Sequence, residues 1–548
     1  MPTSKLTDEH IDTVIQRHIG RFDKPGVTSV RPGVRIAKGL LTHDPAIVVS
    51  VRKKTRNLPP QEMLPEQVEG IPVDVRPLSP MEALRATDPE AFAQELADTP
   101  RGATPVELHT PNFPLERNLR GQLISPQVDK AVARVRPRRP GEPKPGVAAG
   151  PTYQKLPAAT FKAVTGAFKI TCFASPDAGW PTLKPFLEGV KEKLTIGMFE
   201  FTAPHIVQTV SAKMKGKALN LVLDDPDYDT TLREQTNDVT QGQLAKAVGK
   251  GLNFAWAAEG ADKHNSLHLF PAAYHIKVAV ADGAAFFLSS GNFNSTNQPD
   301  LDPFGPMTTT QQTDLRRSDR DWHVIVEHAG LAKVFEDLIL RDLQQATPGQ
   351  QPAPAPVLKG TGNTLGSAPV KFFKAQTFEG KMTVQPALTP DNYVDVILPL
   401  IQGAQKTFRM QTQYIKPSSK FPDDVKLPLA QRSILERLIN AVAALIANKA
   451  DVRIIVDARV TPAMLEQLQT FGGIDGANIR RQHSVHNKGM IFDDKTVVVG
   501  SQNWSTEGVD SNRDASVAIQ NPQMAAYWAK IFDNDWQTMS LLHEDPVP

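Results

Sequence analysis

Apolar positions along the chain fall into helical and strand periods. Ile11, Val14, Ile15, His18 and Ile19 stand at helical spacing behind Thr7-Asp8-Glu9, whereas Ala46 to Val51 and the alternation Ile71, Val73, Val75 have the pattern of strands. These predict a small N-terminal α/β module over residues 1–99. From about Pro100 the pattern dissolves into Pro, Arg and Gly, with Arg134, Arg136, Arg138, Arg139 and Lys144 set among prolines. Such composition cannot build a core, so 100–165 reads as a linker, a solvated one in preference to a phosphate-binding arm. A second Pro/Gly-rich stretch, 346–370, separates two segments of similar length, 166–345 and 371–548.

These two segments repeat each other. Pro185 and Gly189 correspond to Pro399 and Gly403, each in a helix-then-strand pattern, and with one residue's difference Glu200-Phe201 falls on Gln413-Tyr414. Ala218 to Asp225 and Asp451 to Asp457 are the next buried strands. Asp321 to Asp342 and Asp514 to Asp535 then match without a gap, each a strand leading into a closing amphipathic helix. Tyr527, Trp528, Ile531, Phe532 and Trp536 fall on the apolar side of the second of these. Strands alternating with helices predict α/β layers with a mainly parallel sheet. Related halves in one chain are expected to associate about a pseudo-twofold axis, so that features near it come in pairs.

Composition narrows the partners. The chain has 548 residues, 40% hydrophobic and 22% charged, with 61 Lys plus Arg against 59 Asp plus Glu. The net charge of +2 gives no global attraction to nucleic acid or anionic lipid, so any such attraction must be local. The single cysteine, Cys172, leaves no intrachain disulfide. The N-terminus lacks the apolar stretch of a signal peptide, and the most apolar helix, Leu438 to Ala447, is about half of the ~20 residues that span a bilayer. A soluble, cytoplasmic protein is expected, with peripheral contact at a membrane as the alternative.

The chemistry lies in paired short runs. His275-Ile276-Lys277 is followed after four residues by Asp282, and after six more by Ser289-Ser290-Gly291-Asn292. His486-Asn487-Lys488, Asp493 and Gly500-Ser501-Gln502-Asn503 keep the same spacing. On a strand, residues i and i+2 share a face, so each His and Lys project together. One such run is an ordinary polar strand face ending in a turn; two complete copies at equivalent places in a repeat carry far more weight.

The paired runs resemble the phospholipase D superfamily, whose members carry this HxKxxxxD signature twice. The resemblance covers about residues 168 to 542 and implies two tandem α/β repeats forming a pseudo-twofold sandwich. It implies a phosphodiesterase needing no cofactor and no metal, with His275, Lys277, Asn292, His486, Lys488 and Asn503 as the catalytic set. One histidine would attack phosphorus to give a phosphohistidine and the other would protonate the leaving oxygen; family habit favours His275 as nucleophile. Repeat alignment nominates Asp321 and Asp514 as the carboxylates that orient the imidazoles, where the family commonly has Glu. Asp282 and Asp493 fall at positions that usually brace a turn, and Ser290 and Ser501 are assigned as helpers toward the phosphate. Ser289 stands where Gly is usual.

The substrate class is not written in the motif. Two fused repeats favour a phospholipid at a membrane surface; a nuclease acting on DNA or RNA is the alternative, and a noncatalytic scaffold the third reading. The loops 297–312 and 416–429 are candidate membrane contacts or lids. Both halves of the site lie in one chain, so no dimer is needed to complete it, and the N-terminal module is assigned an unidentified partner. His10, His18 and His43 read as surface or packing residues, His483 lacks a completing metal ligand, and His264 and His268 stand at i, i+4 in a segment whose short polar residues favour a loop over a helix. Phe293 and Trp504 read equally as groove-lining or core.

Overall fold

Each half grows outward from one long strand, and the two long strands run side by side. The computed structural model describes residues 6–37, 40–55, 58–98, 110–134, 153–225, 236–259, 269–270, 273–348, 371–418 and 420–541. Val164–Ser175 pairs antiparallel with Gln376–Thr389, joining both halves into one large mixed sheet. Moving outward from Val164–Ser175, the first half adds Asp321–Glu327, Ala285–Ser289, Lys277–Ala281, Lys193–Met198, Ala218–Asp225 and Leu252–Glu259. From Gln376–Thr389 the second half adds Asp514–Gln520, Thr496–Gly500, Lys488–Phe492, Thr407–Thr412, Asp451–Asp457 and Ile479–Gln482. The second order mirrors the first strand for strand.

The sheet is less parallel than the alternation of elements predicts. Lys193–Met198, Ala218–Asp225 and Leu252–Glu259 are parallel, but Lys277–Ala281, Ala285–Ser289 and Asp321–Glu327 join by antiparallel pairing. The reason is local. Asp282 and Gly283, with φ of 54° and 65°, close a turn too short for a parallel crossover, and Asp493 and Asp494 do the same in the second half. Register also removes the one-residue difference inferred from sequence. Met198 faces Lys277 as Thr412 faces Lys488, and Phe201 bridges Phe293 as Ile415 bridges Trp504. Glu200 is therefore the counterpart of Tyr414, and Phe199 of Gln413.

Three cores follow from the sheet's faces. Helices Gly179–Gly189, Pro204–Lys213 and Asn237–Val248 cover the outer face of the first half through Leu183, Val207 and Leu244. Tyr393–Gly403, Ile434–Ala447 and Pro462–Gly472 cover that of the second through Ile397, Leu438 and Leu465. The inner faces meet in a shared core, Val278, Phe286 and Val324 against Ile491, Val497 and Val517, flanked by Ala329–Gln345 and Pro522–Asn534. Trp322 of the first half stacks on Trp528 of the second at 4.6 Å. None of the described helices is long and apolar enough to cross a membrane.

The N-terminal module is a five-stranded sheet with the helix Asp8–His18, capped by Thr7. It extends beyond the boundary read from sequence: Arg117–Asn118 completes its sheet, Arg117 pairs with Asp12 at 2.7 Å, and Ser125–Arg134 is helical. Residues 110–134, taken as linker for their prolines and glycines, are thus held by a buried charge network in which Glu116 accepts from Ser29 and Arg85. The remaining basic linker residues, Arg136, Arg138, Arg139 and Lys144, lie outside the described residues, as do His264 and His268. The module packs on the second half, where Arg31 and Arg76 both ion-pair with buried Glu466 of Pro462–Gly472. Burial alone would raise the Glu466 carboxyl; the two guanidiniums outweigh it and bring it to about 2.

Candidate active site

The two motif strands run antiparallel to Lys193–Met198 and Thr407–Thr412, placing His275-Lys277 and His486-Lys488 at the ends where those inner strands finish. At the far end of each strand lies the motif aspartate. Asp282 accepts from the backbone N–H groups of Lys191, Glu192 and Lys193 at 2.8, 2.8 and 3.0 Å. Asp493 does so from Gln405, Lys406 and Thr407. Both tie a turn to the start of the neighbouring strand, away from the histidines. For each, burial is the largest single influence and raises the carboxyl, but the backbone donors together more than reverse it.

The histidines are oriented from across the seam. His275 Nδ1 lies 2.7 Å from Oδ1 of Asp514, and His486 Nδ1 lies 3.0 Å from Oδ1 of Asp321, so each half supplies the other's carboxylate. Backbone pairing enforces this exchange. Arg513 N–H donates to the Ala273 carbonyl at 2.9 Å, and Arg320 N–H to that of Ser484 at 2.7 Å. Parallel bridges between Arg513 and Tyr274, and between Arg320 and Val485, set each aspartate beside the opposite imidazole.

Two buried arginine clamps hold the crossing in place. Arg513 bonds both oxygens of Asp342 at 2.9 Å and Asp391 at 2.7 Å; Arg320 bonds Asp535 at 2.9 Å and Asp177 at 2.8 Å. In each clamp one carboxylate comes from the arginine's own half and one from the other. Sequence reading passed over these residues, although their signal was there. An Arg precedes both Asp321 and Asp514, Asp342 and Asp535 repeat at equal spacing, and Asp177 and Asp391 each stand eight residues before Pro185 and Pro399.

His275, Lys277, His486 and Lys488 lie in one electrostatic cluster that draws on charges of both halves. Burial is the largest influence on His275 and His486 and, with the adjacent Lys277 or Lys488, brings each imidazole down to about 4; the carboxylate partners oppose it. Each histidine also feels the lysine of the other half. Burial likewise lowers Lys277 to about 7 and Lys488 to about 8, against the pull of Asp514 and Asp321. The ammonium of Lys277 donates to the His275 carbonyl at 2.5 Å. That of Lys488 stands 3.1 Å from both ring nitrogens of His486. Among the described residues, the buried amide oxygens of Asn292 and Asn503 have no hydrogen-bond partner.

The serines sit elsewhere than expected. Ser290 donates to Asp321 at 2.6 Å and Ser501 to Asp514 at 2.5 Å, so both hydroxyls steady the carboxylates rather than face an anion. The departure at Ser289 is balanced within the first half: its hydroxyl lies 2.7 Å from Nδ1 of buried His323, whose Nε2 lies 2.8 Å from Ser175 Oγ. In the second half Ser516 replaces that histidine, and a Cβ on Gly500 would come 1.6 Å from its Oγ. Phe293 and Trp504 are core: Phe293 packs on Phe201 and Phe287, and Trp504 donates to Tyr393 at 3.2 Å. No group of three His, Cys, Asp or Glu side chains suited to a metal occurs among the described residues.

The family model described as "Cardiolipin synthase, PLD-like domain" matches residues 397–536. Residues 397–536, within the second half, are thus phospholipase D-like. No curated protein sequence matches it. Among solved structures it is similar to a phosphatidylserine synthase from Haemophilus influenzae Rd KW20, with 14% identity, 71% of this chain and 89% of that chain covered, and a TM-score of 0.44. A polyphosphate kinase from Porphyromonas gingivalis is similar at 12% identity, 68% and 50% coverage and TM-score 0.38. The phospholipase D family member Nuc from Salmonella typhimurium is similar at 21% identity, 29% and 97% coverage and TM-score 0.23.

Proposed function

We propose that this protein is a metal-independent phosphodiesterase of phospholipase D type, acting on the phosphodiester of a phospholipid. The observation that carries the reading is the reciprocal pairing of His275 with Asp514 and His486 with Asp321, between two buried lysines. Cations and amide donors aimed at the phosphoryl oxygens stabilise the charge that develops on displacement. Lys277, Lys488, Asn292 and Asn503 take that role. His275, at the shorter carboxylate distance, attacks phosphorus through Nε2 while the bond to the leaving oxygen breaks. His486 gives its proton to that oxygen, then takes one from water or an alcohol that cleaves the phosphohistidine. An arriving anion favours the protonated form of an imidazole, which supplies the acid.

Phospholipid is preferred to nucleic acid because Asp321, Asp514 and Glu200 act on both lysines, and Asp319 on Lys488, which opposes further backbone phosphates. The matched family description names a lipid synthase domain. Exposed Phe304, Leu427 and Leu429 lie on the loops 297–312 and 416–429, which suit contact with a lipid surface. The N-terminal module remains assigned to an unidentified partner.

The test compares phosphatidylcholine vesicles, with and without a short primary alcohol, against plasmid and single-stranded DNA, all in excess chelator. Headgroup release and transfer to the alcohol are expected. His275→Ala and His486→Ala should each lose at least ~10³-fold because the two act as a unit. DNA cleavage without lipid turnover would reassign the substrate; full activity in either variant would remove the paired-histidine mechanism.

A further inference from the structure

We propose that Glu200 is a positioning residue of this centre, acting through the Asn292 amide and through its charge on Lys277 and Lys488. The proposal rests on the phosphate-cradle reading above. Glu200 is buried two residues beyond the end of Lys193–Met198, beneath the loop that carries Asn292. Its Oε2 accepts from Asn294 Nδ2 at 2.6 Å and lies 3.5 Å from Asn292 Nδ2, while its carbonyl accepts from Phe293 N–H at 2.9 Å. Asn294 Oδ1 accepts from Asn297 N–H at 2.8 Å, and Asn297 Oδ1 from Asn292 N–H at 2.9 Å. A ring of hydrogen bonds thus starts at Glu200 and returns to Asn292. With its carboxylate as acceptor, the Asn292 amide is held in one orientation, amino group inward, with a second N–H left for an anion.

The second half has no carboxylate here. Its counterpart is Tyr414, by the register of the two strands. Glu200 is therefore a deliberate asymmetry in an otherwise paired site, not a product of the repeat. Its charge also reaches both lysines. Burial lowers Lys277 most, Lys488 lowers it further, and Asp514, Glu200 and Asp321 oppose. Lys488 is lowered by burial and opposed by Asp321, Asp514, Asp319 and Glu200. His275 and His486 are brought to about 4, whereas burial raises the Asp319 carboxyl to about 7, so near neutrality Asp319 titrates alongside the two lysines. Removing one of the opposing carboxylates deprotonates the cradle at a lower pH.

Glu200→Gln separates the two contributions, since its amide oxygen can still accept from Asn294 and Asn292 without the charge. Binding of inorganic phosphate is measured by calorimetry at pH 5.5 and pH 8 in the full chain, and the ratio between the two proteins at each pH cancels the ligand's own titration. The expected result is affinity within about threefold of wild type at pH 5.5 and about tenfold weaker at pH 8, the loss that follows a shift of one pK unit. Glu200→Asp, which keeps the charge, should recover most of the binding at pH 8. A ratio equal at both pH values, whether or not the melting temperature falls, would show that Glu200 only braces the loop and would overturn the proposal. Absence of phosphate binding in the wild type would overturn the cradle and this role together. Phosphate binding with the expected pH ratio but no turnover of any phosphodiester would leave Glu200 its role and remove the proposed activity.

Discussion

Asp514 Oδ1 stands 2.7 Å from His275 Nδ1, although 239 positions separate the two residues in the chain. The reciprocal pair, Asp321 and His486, is separated by 165 positions and meets at 3.0 Å. Each half's imidazole is thus held by the other half's carboxylate, so the seam between them is part of the candidate site.

Asp514→Asn and Asp321→Asn keep the shape of the site but can present the wrong donor to Nδ1. By comparison with the same change behind a catalytic histidine elsewhere, turnover should fall by about 10³- to 10⁴-fold with little change in melting temperature. Steady-state kinetics on the two purified variants checks this; turnover within tenfold of wild type would place the orienting group elsewhere.

The rate should depend on pH in a bell. The acid limb should fall near 4, where the nucleophile His275 protonates, and the alkaline limb should set in no later than about 7 to 8, where Lys277 and Lys488 lose their protons. A profile of kcat/KM on any turned-over phosphodiester reads both limbs. An alkaline limb that stays above pH 10 would mean that the lysines are not the groups that hold the anion.

Stability should fall on acidification before most carboxylates titrate. His275, His323 and His486 are each brought to about 4 in the fold, first by burial, against about 6.5 in an unfolded chain. Between those values these three groups bind more protons in the unfolded state, so their contribution to stability is lost as pH drops through that window, opposed in part by Asp319 and Asp342, which burial raises to about 7 and about 6. Thermal melts from pH 7 to pH 4 should show a progressive decline, reduced in His323→Asn. A flat melting temperature down to pH 4.5 would contradict the buried, neutral histidines.

Arg513→Met removes one clamp and leaves Asp342 and Asp391 buried beside each other without their cation. Breaking a buried pair from one side costs about 3–5 kcal/mol, so chemical denaturation should show a loss of that order. The activity should fall with it, because the same residue's backbone sets Asp514 beside His275. A loss under ~1 kcal/mol would mean that the seam is held elsewhere.

The small residues behind the two Asn loops should not be interchangeable. Gly500→Ala drives a Cβ into Ser516, whereas Ser289→Ala chiefly removes a hydroxyl from His323, at a cost of about 1–3 kcal/mol for the unsatisfied ring nitrogen. Denaturant melts of the two variants should rank Gly500→Ala as the more damaging. The reverse order would deny the exchange of bulk between Gly500–Ser516 and Ser289–His323.

Much of the site was legible because its signals are local. In each His-x-Lys the lysine opens a strand with the histidine two residues before it, the turn aspartates close a hairpin, and repetition at equal spacing marks Asp321 and Asp514. The errors came where a register or a partner decides. Gln413 resembles Glu200 in the letters, but strand pairing gives that place to Tyr414. Residues 110–134 look like linker until Arg117 finds Asp12 and Glu116 finds Arg85.

By itself, then, the order of residues determined that two α/β halves exist and which side chains each contributes, because strand periodicity and turn chemistry act over a few neighbours. It left open which half orients which histidine, how the arginines span the seam, and that Glu200 breaks the symmetry. Those depend on contacts between segments more than a hundred residues apart, where backbone pairing and burial bring charges together that no local spacing connects.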